Sequence, residues 1–295
     1  MEQTKTTIQW YPGHMAKTKK TMEADLAVVD LLIEVVDARI PAASRNPDLL
    51  RYTKQKPHVL LLNKADLAQS GATQRWLSWY RSQGFFPAAI NAAQKNGLRD
   101  LRAAIDSAAQ PLRERLAGRG RLPRPVRAMV IGVPNCGKST VINALAPSAA
   151  VRTGNKPGVT RGRQWVRSDA GVELLDTPGM LWPRFASYDT ACKLAVCGCI
   201  SDAVFPLYQV TCDLIEQLRR IAPQQLTERY KLDGLAATPE QILQQIAVAR
   251  GLLGPGGKPR DEDAAPLLLQ EFRNGKLGPL SLELPPDAVP AEERP

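Results

Sequence analysis

Gly132-Val133-Pro134-Asn135-Cys136-Gly137-Lys138-Ser139 carries the glycine spacing of a loop that folds around phosphates. Such a loop turns its backbone N–H groups, and the N-terminus of the helix that follows, toward negative charge. Within it Lys138 is expected to reach the β- and γ-phosphates, Ser139 to give its hydroxyl to magnesium, and Thr140 to sit beside the α-phosphate. Asn135, Cys136 and Gly137 complete the phosphate-binding set. Downstream, Asp176-Thr177-Pro178-Gly179 follows an apolar strand, so Asp176 can hold magnesium through water and the Gly179 N–H can approach the γ-phosphate. Between these motifs lies Lys156-Pro157-Gly158-Val159-Thr160. Read as a switch loop, it brings Thr160 to magnesium and the γ-phosphate; read on turn chemistry alone, it is a Pro-Gly turn.

A third cluster, Asn63-Lys64-Ala65-Asp66, follows the apolar run Val59-Leu60-Leu61-Leu62. Its side chains should emerge at the carboxyl edge of a sheet, where open α/β folds bind ligands. Asp66 can accept hydrogen bonds from both the ring N–H and the amino group of guanine, whereas adenine leaves the carboxylate unpaired, so GTP should be preferred over ATP by on the order of 10⁴. Asn63 is expected to tie this loop to the phosphate loop, the Lys64 stem to cover the base, and the segment Ile90-Asn91-Ala92-Ala93 to meet the guanine oxygen through its backbone.

The elements that must position these residues alternate between strand and helix. Leu26 to Val36, Val59 to Leu62, Ala88 to Ile90, Ala128 to Ile131 and Val172 to Leu175 read as strands; Thr73 to Arg81, Leu98 to Leu116 and Lys138 to Leu145 read as helices. This is the pattern of a doubly wound, mostly parallel α/β sheet. In Ras-like GTPases the base-reading motif comes last; here it precedes the phosphate loop, so the domain reads as a circularly permuted Ras-like GTPase domain over residues 1–185. The arginine-rich stretch 113–127 reads as the linker between the ancestral ends, which leaves its charges open either to RNA phosphates or simply to solvent. Beyond residue 185 only helical spacing remains, giving a small all-α domain over 186–284. It includes a capping-box helix from Thr238 through Ile242 to Leu253 and a last helix from Ala264 to Arg273, ended by Asn274-Gly275. A Pro- and Glu-rich tail at 285–295 reads as disordered.

With 44% hydrophobic residues the chain can bury one sizeable core and a smaller one. A net charge of +10 favours a polyanionic partner, and nucleic acid is preferred to membrane because no apolar run is long enough to span a bilayer. Aromatics make up only 5%, which favours recognition of RNA shape and phosphates over base stacking, with Arg219, Arg220, Arg229 and Lys231 as candidate contacts in the helical domain. The five cysteines are odd in number and form no Cys-x-x-Cys pair, arguing against a disulfide framework or a zinc ribbon. A start without an apolar signal core leads us to expect a cytoplasmic protein, and a monomer.

Trp10-Tyr11-Pro12-Gly13-His14-Met15, Asp37-Ala38-Arg39-Ile40-Pro41 and the permuted motif order together resemble the ribosome biogenesis GTPase A (YlqF/RbgA) family of bacteria, whose mitochondrial relatives share the pattern. The resemblance covers residues from about 8 to 185. It implies a GTP hydrolase that binds the large (50S) ribosomal subunit and its rRNA late in assembly, is stimulated by the ribosome, and then leaves. The residue after Asp-x-x-Gly is Met180, which cannot orient a water as the usual glutamine does; by resemblance that role falls to His14 on the N-terminal segment 1–22. On chemistry alone His14 could instead cap or pack a helix entry. Asn135 matches the position where potassium-stimulated GTPases hold the monovalent ion, although it could equally bond only within its own loop. Alternatives to the large-subunit reading are a small-subunit assembly GTPase and an RNA-binding scaffold that uses GTP as a structural ligand.

Overall fold

In a computed structural model the described residues are 24–47, 56–120, 122, 124–146, 164–168, 171–182 and 185–286. Six strands form one sheet: β1 Leu31–Asp37, β2 His58–Asn63, β3 Phe86–Ile90, β4 Val126–Ile131, β5 Gln164–Arg167 and β6 Val172–Asp176, in the order β3-β2-β1-β4-β6-β5. All neighbours pair parallel except β5, which runs antiparallel on β6 at the edge. From β1 the chain winds outward through β2 to β3, and from β4 it winds the other way through β6. The central crevice between β1 and β4 is therefore the switch point at which such sheets bind ligands.

Among the described residues the sheet is accompanied by α1 Ser70–Ser82, α2 Leu98–Gly118 and α3 Lys138–Leu145. Alternation along β1 sends Leu31, Ile33 and Val35 into a core with Val130, Leu101 and Ile142. On the opposite face Leu32 joins Met129, Ile131 and Leu175, and Val36 joins Leu60, Leu62 and the α1 residues Trp76 and Tyr80. Five more helices follow: α4 Tyr188–Val196, α5 Leu207–Ile221, α6 Pro223–Tyr230, α7 Pro239–Ala249 and α8 Asp261–Arg273. Their buried residues Leu194, Leu214, Ile246 and Phe272 belong to the same hydrophobic cluster as Val35 and Ile142, so the helices share the core of the sheet. The chain then returns to the sheet domain: the Leu280 N–H donates to the Leu67 carbonyl at 2.9 Å, the Leu282 N–H to the Arg39 carbonyl at 2.9 Å, and the Glu283 carboxylate accepts from the Ala42 N–H at 2.8 Å. Among the described residues no helix is long and apolar enough to cross a membrane.

Several expected boundaries move. Residues 24–28 are helical and the first strand starts at Leu31, because the Asp30 carboxylate accepts the Arg124 guanidinium at 2.7 Å and the Arg127 N–H at 2.9 Å and so turns the chain into the sheet. The stretch 113–127 is not a free linker: α2 runs on to Gly118, Arg113 pairs with Asp106 at 3.0 Å, and Arg127 lies in β4 and pairs with Glu173 at 3.1 Å. Helix α7 ends at Ala249, before the expected Leu253, since Gly251 takes a left-handed φ of 69° and the Leu252 N–H turns back to the Ala247 carbonyl at 2.8 Å. The predicted capping box at Thr238 is present, and α8 starts early on Asp261, Glu262 and Asp263, whose charges suit a helix N-terminus. Residues 287–295 lie outside the described residues.

Glu34 is a carboxylate in the middle of the central strand, 1% exposed. Arg45 donates to it from Nε at 3.1 Å and Nη2 at 2.9 Å, and His58 Nε2 lies 3.0 Å away. Burial alone would raise its pKa, but the His58 hydrogen bond and the Arg45 charge outweigh that and hold it below the ordinary value. A depressed carboxylate contributes stability above its unfolded pKa, about 4.3, and loses it as pH falls through the folded value. Glu283 acts oppositely, because burial holds its pKa above the ordinary value. Its stability is complete below the unfolded pKa and is lost as pH rises through the folded one. With Glu34 and the likewise depressed Asp37 on the other side, melting temperature should fall steeply below about pH 4, and Glu34→Gln should flatten that fall. A melting temperature that rises on acidification would contradict the assignment.

Candidate nucleotide site

Because β1, β2, β3, β4 and β6 are parallel, the loops after β2, β3, β4 and β6 leave the sheet at one edge. The phosphate-type loop spans β4 and α3, with Gly137 at the helix N-cap (φ 100°) and Asn135 also left-handed (φ 57°). Lys138 is buried and its Nζ donates to the Val133 carbonyl at 2.9 Å, so the ammonium arches over the loop. One carboxamide joins three loops: Asn63 Nδ2 donates to the Cys136 carbonyl at 2.8 Å, and Asn63 Oδ1 accepts the Ala92 N–H at 3.1 Å. A Cβ on Gly137 would run into Asn63 Nδ2, so glycine is required there by space as well as by φ.

At the other end, Ser139 Oγ donates to Asp176 Oδ2 at 3.1 Å. A hydroxyl and a carboxylate brought together beside a phosphate-type loop are the oxygen donors that suit magnesium, which keeps several waters and takes few protein ligands. Among the described residues no group of three His, Cys, Asp or Glu side chains could hold a metal unaided. Thr177 Oγ1 donates to the Val130 carbonyl at 2.6 Å, and the Met180 N–H to the Gly132 carbonyl at 3.3 Å, which ties this segment to the phosphate-type loop. Gly179 is so close that a Cβ would stand 2.7 Å from Pro134 Cα and 2.9 Å from Lys138 Nζ. Gly179→Ala is expected to lower hydrolysis by on the order of 10² while GDP still binds, measured by single-turnover hydrolysis and calorimetry. His14 and Thr160 lie outside the described residues.

At the base-reading end, Lys64 is left-handed (φ 58°) and its Nζ donates to Asp37 Oδ2 at 2.9 Å. Asp37 is fully buried and also takes Arg39 Nη2 at 2.8 Å and Arg39 Nε at 2.9 Å. Burial would raise the Asp37 pKa, but the Arg39 and Lys64 charges outweigh it and hold the carboxyl well below the usual range. Asp66, in the turn Ala65–Leu67, opens with Asn63, Lys64, Asn91, Ala93, Gln94, Asn135, Gly137 and Thr140 onto a cleft of about 620 Å³. The Ala92 N–H is engaged by Asn63, and Asn91, Ala93 and Gln94 are the members of that loop that line the cleft. Sequence reading missed the far wall: Cys197, Gly198, Gln270, Arg273 and Asn274 also line it, and Asn135 Nδ2 donates to the Gly198 carbonyl at 2.8 Å. No motif marks these residues; Cys197 and Gly198 reach the cleft from the end of α4, and Gln270, Arg273 and Asn274 from the end of α8. The cysteines are free and buried, and burial pushes the Cys192, Cys197 and Cys212 thiols up to about 12, so none is a reactive thiolate.

Residues 127–228 match a family described as 50S ribosome-binding GTPase. Ribosome biogenesis GTPase A of Priestia megaterium is 38% identical over 96% of this chain and 98% of its own, and that of Thermotoga maritima is 32% identical over 97% and 98%. The mouse mitochondrial ribosome-associated GTPase 1 is 34% identical over 96% of this chain and 91% of its own. Among solved structures, a GNP-bound YlqF from T. maritima superposes with a TM-score of 0.64 at 27% identity, covering 92% of this chain and 99% of that one.

Proposed function

Since the chain belongs to the ribosome biogenesis GTPase A family, a family of GTP-hydrolysing proteins, we propose that it is a cytoplasmic checkpoint GTPase that binds the large ribosomal subunit in its GTP state and leaves after subunit-stimulated hydrolysis. The observation that carries the nucleotide reading is Asn63, whose one carboxamide fixes the base-reading loop to both the Cys136 carbonyl and the Ala92 N–H. Asp66 then selects guanine, with Asn91 and Ala92 shaping the adjoining loop.

Ser139 and Asp176 would hold magnesium, with Thr160 added in the GTP state, and the ion would supply positive charge to neutralise what develops on the phosphates. Lys138 leaves its carbonyl partner for the β- and γ-phosphates, and the Gly179 N–H meets the γ-phosphate. His14 orients the attacking water. Met180 does not, since its N–H donates to Gly132, its carbonyl accepts from Asn46 and its side chain packs against the core. Potassium is an activator in this reading: with the Asn135 carboxamide nitrogen on the Gly198 carbonyl, its oxygen would be the group to hold the ion.

RNA contact is proposed for the groove of about 880 Å³ lined by Lys231, Gln241, Gln245 and Arg250. Arg229, which also lines it, and Arg250 are both held by Glu271, at 2.8 and 3.2 Å, and Arg219 is held by Glu216 at 2.8 Å, so Lys231 carries more of the groove's charge than these arginines. Co-sedimentation tests the partner. With a non-hydrolysable GTP analogue the protein should pellet with large subunits, with GDP it should not, and small subunits should not carry it; equal binding to both subunits would overturn the large-subunit assignment.

A further inference from the structure

The far wall of the cleft is built from the helical domain, and its chemistry suits one half of a nucleotide. Gln270 and Asn274 are four residues apart at the end of α8 and so share a helix face. Both are exposed, and both line the cleft with Asp66 and Asn91. The neighbouring cation, Arg273, is already committed: Nη2 donates to the Ala195 carbonyl at 2.7 Å and pairs with Asp202 at 2.7 Å. The end of a helix also carries partial negative charge, which disfavours phosphate. What remains are two neutral carboxamides, each able to donate and accept, suited to ribose hydroxyls and purine edges.

The wall is held firmly against the base-reading turn. Gly275 packs so close that a Cβ would stand 2.7 Å from Leu67 Cδ2, and the Gln69 N–H donates to Ser281 Oγ at 3.1 Å. Arg39, which grips Asp37 and through it Lys64, lies 5.2 Å over the Phe272 ring of α8.

We infer that Gln270 and Asn274 bind the nucleoside half of the nucleotide, so that the guanine site is shared between the sheet domain and the helical domain. The inference rests on the guanine-nucleotide reading above. Because Lys138 and Ser139 do not line the cleft that Gln270 and Asn274 share with Asp66, the two carboxamides contact GDP and GTP alike, and either nucleotide bridges the two domains.

Calorimetric titration of the full chain with GDP and with GTP, with the nucleotide-free melting temperature recorded, tests this. Gln270→Ala/Asn274→Ala should weaken both nucleotides by a common factor of about ten, two neutral hydrogen bonds being lost, and leave the nucleotide-free melting temperature unchanged. Wild-type binding with an unaffected double variant would overturn this inference alone, as would a loss confined to GTP. A wild-type protein that binds no GDP would overturn the guanine-nucleotide reading and this inference with it.

Discussion

Asp66→Asn is expected to exchange guanine for xanthine specificity: affinity for GDP falls by on the order of 10³ or more, and xanthosine diphosphate becomes the better ligand. The carboxylate accepts from both guanine N1–H and the 2-amino group, two charge-assisted bonds worth roughly 1.5–3 kcal/mol each. Asparagine keeps one acceptor but turns a donor toward the amino group, leaving two donors opposed. Xanthine carries a carbonyl at that carbon, so the donor finds an acceptor. Asp66 is exposed in a short turn, so the change should not disturb the fold. Calorimetry with both diphosphates checks the swap, and a variant that keeps wild-type GDP affinity would remove Asp66 from the base site.

Asp37→Ala should be the most destabilising single change near the site, by about 3–5 kcal/mol, because it leaves a buried charge unpaired. The Arg39 side chain is 2% exposed and the Asp37 side chain 0%, and the Lys64 ammonium shares the same carboxylate at 2.9 Å. Replacing both partners with apolar groups of similar size, Asp37→Leu/Arg39→Met, should cost less, since the buried guanidinium is then not stranded and only Lys64, whose side chain is 26% exposed, loses its partner. The sign with pH follows from the depressed Asp37 pKa: its contribution is present above the unfolded value, about 3.9, and fades as pH falls through the folded one. The gap between wild type and Asp37→Ala in urea midpoints should therefore narrow on acidification. Equal cost for the single and double variants would show that the ion pair is not what holds this corner.

The phosphate-type loop, the Asp176 turn and the Asn63 loop were legible because each is a short run whose spacing carries its own geometry. Their convergence was legible too, since parallel strands must deliver their following loops to one edge. What escaped were contacts between residues far apart in the chain. Nothing local to Asp37 announces that Arg39 will stack on Phe272, or that Gln270 and Asn274 will face Asp66. Sequence alone extends the first strand back to Leu26 because Leu26 and Val29 are apolar, and only the bonds that Asp30 makes to Arg124 and Arg127 reveal the turn. Likewise the arginines of 113–127 read as linker charge open to RNA phosphates or to solvent, and only the fold brings Asp106, Asp30 and Glu173 beside three of them.

The claim at the centre of this account is that hydrolysis is gated by the large subunit and carried by His14. Single-turnover GTP hydrolysis in potassium, with purified large or small subunits added, addresses it directly in wild type and His14→Ala. The account predicts strong stimulation by large subunits alone, abolished in His14→Ala while GTP affinity is kept, and weakened when sodium replaces potassium. Hydrolysis that ignores large subunits, or a His14→Ala variant stimulated as well as wild type, would contradict it.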